Sequence, residues 1–556
     1  MKGFFKKHRT KLISFFTALP VGISAIMFSG YTSTNFELVK NLDIFASLIK
    51  ELSLYYVDDI DYGKTVKKGI DEMLGSLDPY TVYIPESKIE DLTFMTTGQY
   101  GGIGATIRKI DKHVIIVQPY KDFPADKAGL KAGDALLEVN GISLKNKSTS
   151  AVSELLKGQP GTKVDLKIKR AVSGEIEKVS LEREKVQVDP LPYYGMLNDK
   201  VGYVHLSNFT RETGAKVQKA VTELKEDKHA EALILDLRNN PGGLLIEAVR
   251  LCNLFVPQGT MVVSTKGKVE RWNEEYKANM KPYDTEIPLV ILVNNHSASA
   301  SEIVAGCMQD IDRAVVVGKR TFGKGLVQTT RELSYNTKLK VTTANYYIPS
   351  GRCIQALDYA HRNEDGSVGR IPDSLVSEFK TQNGRIVYDG GGIMPDVETD
   401  NYNLSKISSY LLNDHMIFDF ASLYCYNHED IGDLSEFSVD DKMYQEFIDF
   451  LNEKSFDYET RSEEYLDELI EIAKQEKYYQ VAENEFDALA AKIAHDRDKD
   501  LRLFKDEIKE LLAEEIVGRY YYRKGKIKYG LQSDHDVEKA LEILSNPEQM
   551  KNILTP

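Results

Sequence analysis

The chain has 556 residues, of which 42% are hydrophobic, 28% charged and 10% aromatic. This composition is typical of a globular protein with roughly three to four domains, and it excludes wholesale disorder, a collagen-like repeat and a multi-span membrane protein. The net charge of −14 argues against a nucleic-acid-binding protein. The four cysteines are scattered and form no CxxC pair, so neither a disulfide scaffold nor a zinc site is expected.

The N-terminus combines a basic flank with an apolar run. Five Lys and Arg residues lie within residues 1–11, and Leu12–Gly30 carries no charge over 19 residues. A helix of this length, at about 1.5 Å per residue, just spans a bilayer core of roughly 30 Å. The pattern is typical of a secretory signal or a single membrane anchor. Because no clean cleavage site follows, we favour an anchor over residues 1–31, with the rest of the chain exported to the periplasm or cell envelope.

Residues 36–95 are predicted to form a helical segment, because their apolar residues recur at helical spacing. The apolar stripe of this segment either joins the core or forms a dimer surface. Its residues are Leu38, Leu42, Phe45, Leu48, Ile49 and Leu52. We favour the core.

Residues 96–185 are rich in strand-like runs. Between them, FPADKAGLKAGDALLEVNG predicts a short helix, a glycine turn and a strand, and this tract resembles a PDZ domain, a small β barrel. A glycine-rich turn upstream could bind a terminal carboxylate through its backbone N–H groups, and the adjoining strand edge could pair with an extended peptide. The residues of this turn are Gly101, Gly102, Ile103 and Gly104. A β barrel that binds no ligand is the alternative.

Strands and helices alternate through the next domain, over residues 186–400. This order predicts a layered α/β fold with a buried sheet. The first candidate for chemistry is the turn Asn239–Gly243 (NNPGG), which follows the buried strand AEALILDLR. A glycine backbone can approach a substrate closely and present N–H groups to an oxyanion. As a bare turn it would be structural, and Asp236 and Arg238 before it are expected to fix the turn.

Ser299 follows the apolar strand PLVILVNN and stands at the entry to a helix. The N-terminus of a helix favours developing negative charge, so Ser299 is a candidate nucleophile. The structural alternative is a capping box formed by Ser299 and Glu302.

Lys324 lies between two glycines in the run RTFGKG, next to apolar chain. A dry surrounding disfavours the ammonium ion, and a neutral lysine can remove the proton of a serine hydroxyl. Gln328 lies four residues further on and could orient the amine. A surface lysine in a glycine loop is the alternative for this motif taken alone.

The C-terminal part, residues 401–556, is predicted to be an acidic helical domain. Residues 431–556 contain 18 Lys and Arg against 31 Asp and Glu, and their apolar residues recur at helical spacing. We interpret this domain as a solvated appendage, with a substrate-gating or partner-docking arm as the alternative.

The motifs together resemble the C-terminal processing peptidases, also called tail-specific proteases. The resemblance covers residues 36–400, through the PDZ-like tract and the runs LDLRNNPGGLL, VNNHSASASEIVAG, GKRTFGKGLVQ, YYIPSGRCIQ and GGIMPDV. It implies an α/β fold in which a PDZ domain is inserted before a crotonase-like α/β/α protease core. It also implies Ser299 as the nucleophile, Lys324 as the general base and Gln328 as the residue that positions this base.

The same resemblance implies an oxyanion hole built from backbone N–H groups of Gly242, Gly243 and Ala300, with Glu302 in a structural role. Substrates would be proteins or peptides with free C-termini, and the protein would be a homodimer. No HExxH motif, His/Asp/Glu cluster or P-loop is present, so we expect no metal and no cofactor.

Two departures from the family pattern remain open. Asn295-His296-Ser297 replaces the usual Gly-Thr or Gly-Ser, and residues 358–389 form a long polar insertion. His296 is an alternative base, and Ser297 and Ser301 are alternative nucleophiles. At the level of function, the alternatives are a non-catalytic envelope scaffold that binds protein C-termini and a crotonase-type acyl-CoA enzyme.

Overall fold

The computed structural model describes residues 33–363, 365–400 and 404–555, so the predicted signal or anchor over residues 1–31 lies outside the described residues. The described chain falls into two compact units, divided between Tyr83 and Ile84. Within the described residues, no helix has both the length and the apolar character needed to cross a membrane.

The first unit is helical, as predicted. It contains helices α1 (Ser33–Tyr55) and α2 (Tyr62–Gly75) and the start of strand β1 (Val82–Ile84). The prediction that the apolar stripe of α1 joins the core is wrong, because four of its six side chains are largely exposed and the other two, Ile49 and Leu52, are only half-buried. The exposed fractions are 59% for Leu38, 54% for Leu42, 46% for Phe45 and 53% for Leu48. Helical periodicity indicates an apolar face but not which surface covers it.

The PDZ-like region opens with a helix and then forms a compact antiparallel sheet. Its elements are α3 (Ile89–Thr97), β2 (Gln99–Gly102), β3 (Ala105–Ile110), β4 (His113–Pro119), α4 (Pro124–Lys127), β5 (Ala135–Val139), β6 (Ile142–Ser143), α5 (Thr149–Leu156), β7 (Lys163–Lys169), β8 (Ile176–Glu182) and β9 (Glu184–Gln187). The strand order is β3-β4-β5-β7-β8, with β6 on β5, so β3 lies at an edge of this sheet. Strand β2 pairs with β9.

The α/β region alternates strands and helices from β11 to β16, as predicted, but no α-helix follows β16 among its described residues. Its elements are β10 (Tyr193–Met196), β11 (Val201–His205), α6 (Thr213–Thr222), β12 (Ala232–Asp236), α7 (Leu245–Cys252), β13 (Met261–Gly267), β14 (Glu274–Lys277), β15 (Leu289–Val293), α8 (Ala300–Asp310), β16 (Val315–Gly318), β17 (Leu326–Glu332), β18 (Lys338–Tyr347), β19 (Leu357–Arg362), β20 (Val368–Arg370), β21 (Glu378–Lys380), β22 (Ile386–Tyr388) and β23 (Val397–Glu398). The insertion at 358–389 forms two short hairpins, β19–β20 and β21–β22.

Two sheets organise this region. The central sheet has the order β10-β11-β12-β15-β16-β23, and it is parallel except for the antiparallel strand β10. Its middle strands β12 and β15 are buried along their whole length, as expected for a sheet covered on both faces. Strands β14, β13, β18 and β17 form a second, antiparallel sheet beside it.

The C-terminal region is helical, as predicted. Its helices are α9 (Lys406–Asn413), α10 (Met416–Asn427), α11 (Asp441–Glu453), α12 (Arg461–Gln475), α13 (Glu483–Ile493), α14 (Arg497–Leu503), α15 (Lys505–Gly530), α16 (His535–Ser545) and α17 (Pro547–Leu554). Phe418 of α10 packs against Ile115 and Ala132 of the PDZ-like region. The Tyr522 hydroxyl, at a kink in α15, donates to Asp126 of the same region at 2.7 Å.

The last two helices correct the interpretation of the C-terminal region as an appendage. Helices α6, α7 and α8 pack on one face of the central sheet. The opposite face is covered by α16, through Val537, Ala540 and Ile543, with residues of α17 packed around this cluster. The central sheet is therefore a layer between helices, and the C-terminal region supplies one of the helical layers.

Candidate active site

The three predicted motifs meet at one edge of the central sheet. The turn Asn239–Gly243 follows β12, Ser299 follows β15 and Lys324 follows β16. These strands are neighbours and run parallel, so their carboxyl ends lie side by side. In open α/β sheets this edge is the usual place for a ligand site.

Ser299 holds a backbone conformation that serine rarely adopts. It precedes α8 with φ of 56° and ψ of −114°. Such a positive φ costs on the order of 1–3 kcal/mol and persists only where the surroundings fix it. Two contacts fix it here: its N–H donates to Glu302 Oε2 at 2.8 Å, and its carbonyl accepts from the Tyr346 hydroxyl at 3.1 Å. The half-buried Ser299 is thus held at the N-terminus of the helix.

Glu302 connects the serine to the lysine. Its carboxylate is fully buried and accepts four hydrogen bonds. Oε2 accepts the N–H groups of Ser299 at 2.8 Å and Lys324 at 2.9 Å. Oε1 accepts the Thr321 hydroxyl at 2.6 Å and the Gly323 N–H at 2.7 Å. One oxygen therefore bridges the backbones of residues 299 and 324.

The charge state of Glu302 depends on two opposing effects. Burial raises the pKa of this carboxyl to about 7, while the four hydrogen bonds that it accepts act in the opposite direction. The Thr321 hydroxyl accepts the N–H of Ile393 at 2.6 Å, so its own proton points to Glu302. All four partners are thus donors, and this arrangement fits the ionised carboxylate.

Tyr346 bridges the same two residues from the other side. Its ring is buried, and its hydroxyl contacts the carbonyl oxygens of both Ser299 and Lys324. Phe322 adds a direct link, because its N–H donates to the carbonyl of Ser297 at 3.0 Å. The loops of the predicted nucleophile and base therefore form one hydrogen-bonded unit.

The glycines around Lys324 allow a close approach of the chain. A Cβ on Gly323, where φ is 87°, would lie 2.4 Å from the Cβ of Ala356, and one on Gly325 would lie 2.8 Å from the nitrogen of Gln355. Lys324 itself is half-buried. The side chain of Gln328, on β17, donates to the Thr342 hydroxyl at 3.2 Å. Its role in orienting the lysine amine stays a prediction.

The NNPGG turn packs directly on the serine. A Cβ on Gly242 would lie 2.8 Å from Ser299 Cβ, and the Asn240 carbonyl accepts from the Ala298 N–H at 3.0 Å and the Ser301 hydroxyl at 2.9 Å. The Gly242 N–H already donates to the Asn240 side chain at 2.9 Å.

Of the three predicted oxyanion donors, Gly243 and Ala300 therefore remain available. Neither of their N–H groups has an acceptor among the described residues.

The alternative residues are placed differently. The Ser297 hydroxyl is buried and donates to the carbonyl of Leu237 at 2.8 Å, and the Ser301 hydroxyl is buried against Asn240. The His296 side chain is exposed. Both alternative serines thus serve as structural links, and Ser299 is the accessible hydroxyl of this loop.

The predicted peptide-binding turn of the PDZ-like region lies between β2 and β3. The Gly101 N–H donates to Glu90 at 3.0 Å, and Gly102 pairs with β9. The N–H groups of Ile103 and Gly104 have no acceptor among the described residues, and Gly104 has φ of 71°. The two free donors adjoin the edge strand β3.

Sequence reasoning missed Tyr346 and the full role of Asn240. Tyr346 lies in the run YYIPSG, but its hydrophobic setting in a strand indicates only a core position. Asn240 resembles any turn asparagine, and its contacts to residues 298 and 301 bring together segments about 60 residues apart.

Comparisons with known proteins identify the family of this chain. The family model "Peptidase family S41" matches residues 200–360, "PDZ domain" matches 115–170, and "Probable PDZ-protease, C-terminal helical domain" matches 407–544. The "Carboxy-terminal-processing protease" of Bartonella bacilliformis is 33% identical over 373 residues, which cover 66% of this chain and 83% of that relative. This chain belongs to peptidase family S41. It is accordingly a serine peptidase, and the peptidase hypothesis is favoured over the scaffold alternative.

A second curated relative matches a longer part of the chain. The "Probable CtpA-like serine protease" of Staphylococcus haemolyticus is 30% identical over 470 residues, which cover 82% of this chain and 89% of that relative. Among solved structures, the photosystem II D1 C-terminal processing protease is 30% identical, with a TM-score of 0.36 over 64% of this chain and 86% of that one.

Proposed function

We propose that this S41 peptidase is an exported endopeptidase that binds C-terminal tails of unfolded or envelope proteins and cleaves them with a Ser299–Lys324 dyad. The observation that carries this proposal is the double bridge formed by Glu302 and Tyr346. It fixes the backbones of both dyad residues to the same two groups.

The reaction would proceed through an acyl-enzyme. The neutral amine of Lys324 takes the proton of Ser299, and the serine oxygen attacks the scissile carbonyl. The N–H groups of Gly243 and Ala300 stabilise the oxyanion, at the N-terminus of α8. The Lys324 ammonium returns its proton to the leaving amine. Water then loses a proton to Lys324 and attacks the ester. The Lys324 ammonium gives this proton to the departing serine oxygen, which releases the new C-terminus and restores Ser299 and the neutral amine.

The PDZ domain would supply selectivity for chain ends. A terminal carboxylate would accept the N–H groups of Ile103 and Gly104, and the peptide would pair with the edge strand β3. This arrangement would leave the peptide free to extend towards a protease core of crotonase-like type.

The cellular setting is also part of the proposal. The charge-free run Leu12–Gly30 after a basic flank supports export and attachment to a membrane. The largely exposed apolar stripe of α1 supports a homodimer.

The test compares wild type with Ser299→Ala and Lys324→Ala on an unfolded protein that has either a free or an amidated C-terminus. We expect cleavage by wild type of the free form, much slower cleavage of the amidated form, and none by either variant. Ser334→Ala serves as the control, since this serine is exposed in the turn between β17 and β18. Full activity of Ser299→Ala or Lys324→Ala, with the fold intact, would refute the dyad.

A further inference from the structure

Arg238 links the NNPGG turn to the C-terminal helical domain. Its Nε and Nη2 donate to Asp236, at 3.0 and 2.6 Å to Oδ2. Nη2 also donates to Asp534 Oδ2 at 2.7 Å, and Nη1 donates to Asp534 Oδ1 and to Asp536, each at 2.9 Å. The five N–H groups of the guanidinium therefore all have carboxylate partners. Asp534 and Asp536 lie nearly 300 residues further along the chain.

The charges of this cluster are balanced by its surroundings. Three carboxylates face one guanidinium, but Asp534 also caps α16 and accepts the N–H groups of Asp536 at 3.0 Å and Val537 at 3.1 Å. The partial positive charge of the helix N-terminus stabilises this carboxylate. Asp236 is buried, which opposes its ionisation, yet Arg238 holds its pKa well below the usual range. The Tyr203 hydroxyl also donates to Asp236, at 2.6 Å.

A short path of neighbouring residues leads from this cluster to Ser299. The residue after Arg238 begins the turn Asn239–Gly243, which contacts Ser299 through Gly242. On the other side, α16 is anchored on the central sheet by Val537 and Ala540. Arg238 is thus held between a fixed helix and the turn that carries a predicted oxyanion donor.

We propose that Asp534 and Asp536 of the C-terminal helical domain are positioning residues of the active site, which hold Arg238 and through it the NNPGG turn. The helical domain therefore completes the catalytic site in addition to covering the sheet. The inference rests on the proposed function in one respect: the turn must supply an oxyanion donor.

The test uses Asp534→Asn/Asp536→Asn. Asparagine caps a helix about as well as aspartate, so α16 keeps its cap while Arg238 loses the two negative charges of the helical domain and keeps that of Asp236. We expect kcat on an unfolded protein substrate to fall about 10–100-fold, since a misplacement of about 1 Å can cost 10²-fold. KM should stay within about twofold, because the turn binds the transition state more strongly than the substrate.

Asp441→Asn is the matched control. Asp441 is an exposed aspartate of the same domain that also pairs with two cations, Lys505 and Lys509. It lies in α11, which makes no contribution to the central sheet. Its kcat should remain that of wild type. In the background of Arg238→Ala, the double Asn change should have no further effect on kcat.

A second measurement is independent of activity. Amide hydrogen exchange in residues 238–244 should be at least about tenfold faster in Asp534→Asn/Asp536→Asn than in Asp441→Asn, since exchange reports local opening. The single variant Asp536→Asn, which keeps the two Asp534 contacts, should show a smaller effect of the same kind and replaces the double variant if that one does not fold. Equal exchange and equal kcat in variant and control would overturn the inference. If wild type cleaved no substrate, the proposed function would fail, and exchange alone would decide the inference.

Discussion

Gly242→Ala is the sharpest test of how the NNPGG turn meets the serine. The added Cβ would lie 2.6 Å from the Ala298 carbonyl oxygen, 2.8 Å from the Ala300 nitrogen and 2.8 Å from Ser299 Cβ. Two of these three atoms belong to the backbone, so no side chain can rotate away to make room. The turn and the serine loop must therefore move apart.

The size of this effect follows from the contacts. Ordinary van der Waals contact begins at 3.4 Å, so the turn must shift by about 0.6 Å from Ser299. Overpacking of this kind costs about 1–3 kcal/mol. The φ of 97° adds strain for alanine, on the order of 1–3 kcal/mol. Because a shift of about 1 Å can cost 10²-fold in rate, we expect kcat to fall about 10–100-fold.

Gly259→Ala separates the contact from the backbone strain. Gly259 has nearly the same φ, 92°, but nothing lies within 4 Å of its added Cβ. Both variants should lose stability through backbone strain. Only Gly242→Ala should lose a further ~1–3 kcal/mol of unfolding free energy, which is the usual cost of overpacking, and only this variant should lose activity. The measurements are denaturant unfolding and kcat on an unfolded protein. A kcat of Gly242→Ala within twofold of that of Gly259→Ala would refute the proposed contact between turn and nucleophile.

The remaining predictions concern two groups that contact the loops of Ser299 and Lys324, and one interface. Because burial raises the pKa of Glu302 to about 7 from 4.5, this carboxyl takes up a proton as the pH falls through about 7, and it can then no longer accept four hydrogen bonds. We therefore expect kcat of wild type to fall as the pH is lowered through about 7. The pH profile of kcat for Glu302→Gln should lack this fall. Identical profiles would contradict the role of the Glu302 carboxylate in bridging residues 299 and 324. Tyr346→Phe should lower kcat about 5–30-fold, which corresponds to about 1–2 kcal/mol for the hydroxyl, and wild-type kinetics would contradict the bridge. Phe418→Ala should lower the free energy of unfolding by about 3–5 kcal/mol, measured in denaturant, through lost contact with Ile115 and Ala132; no loss would contradict that interface.

Local patterns predicted the elements of the fold but not all of their partners. The run PLVILVNN predicts a buried strand because its side chains are apolar on both faces, and β15 is buried along its whole length. The stripe of α1 has an equally regular period, yet Leu38 and Leu48 remain largely exposed. Periodicity records that a face is apolar, and the surface that covers it is set by residues far away in the chain.

In the candidate site, too, local patterns predicted the positions of residues but not the contacts between them. The positions of Ser299 and Lys324 follow from the loops after two parallel strands, because the carboxyl ends of such strands meet at one edge. The contacts that bring the two residues together could not be predicted in the same way. Tyr346 acts through its hydroxyl at the end of a strand, and the acceptors of the Gly242 N–H and of the Ser301 hydroxyl depend on distances that only the folded chain defines.

The C-terminal helices show why the helical layer on the second face of the sheet was not predicted. The excess of acidic residues over 431–556 suggested a solvated surface. A charge count over a long segment does not distinguish the polar face of a helix from its apolar face. Helix α16 carries Asp534 as its cap and Asp536 in its first turn, but Val537, Ala540 and Ile543 on one side. The spacing of three between these apolar residues is the signal of a packed face. A central sheet with strands buried on both faces needs two helical layers, whereas α6, α7 and α8 supply only one of them. Neither the buried strands of the sheet nor the apolar side of α16 identifies its partner alone. Taken together, they predict that α16 covers the second face of the central sheet.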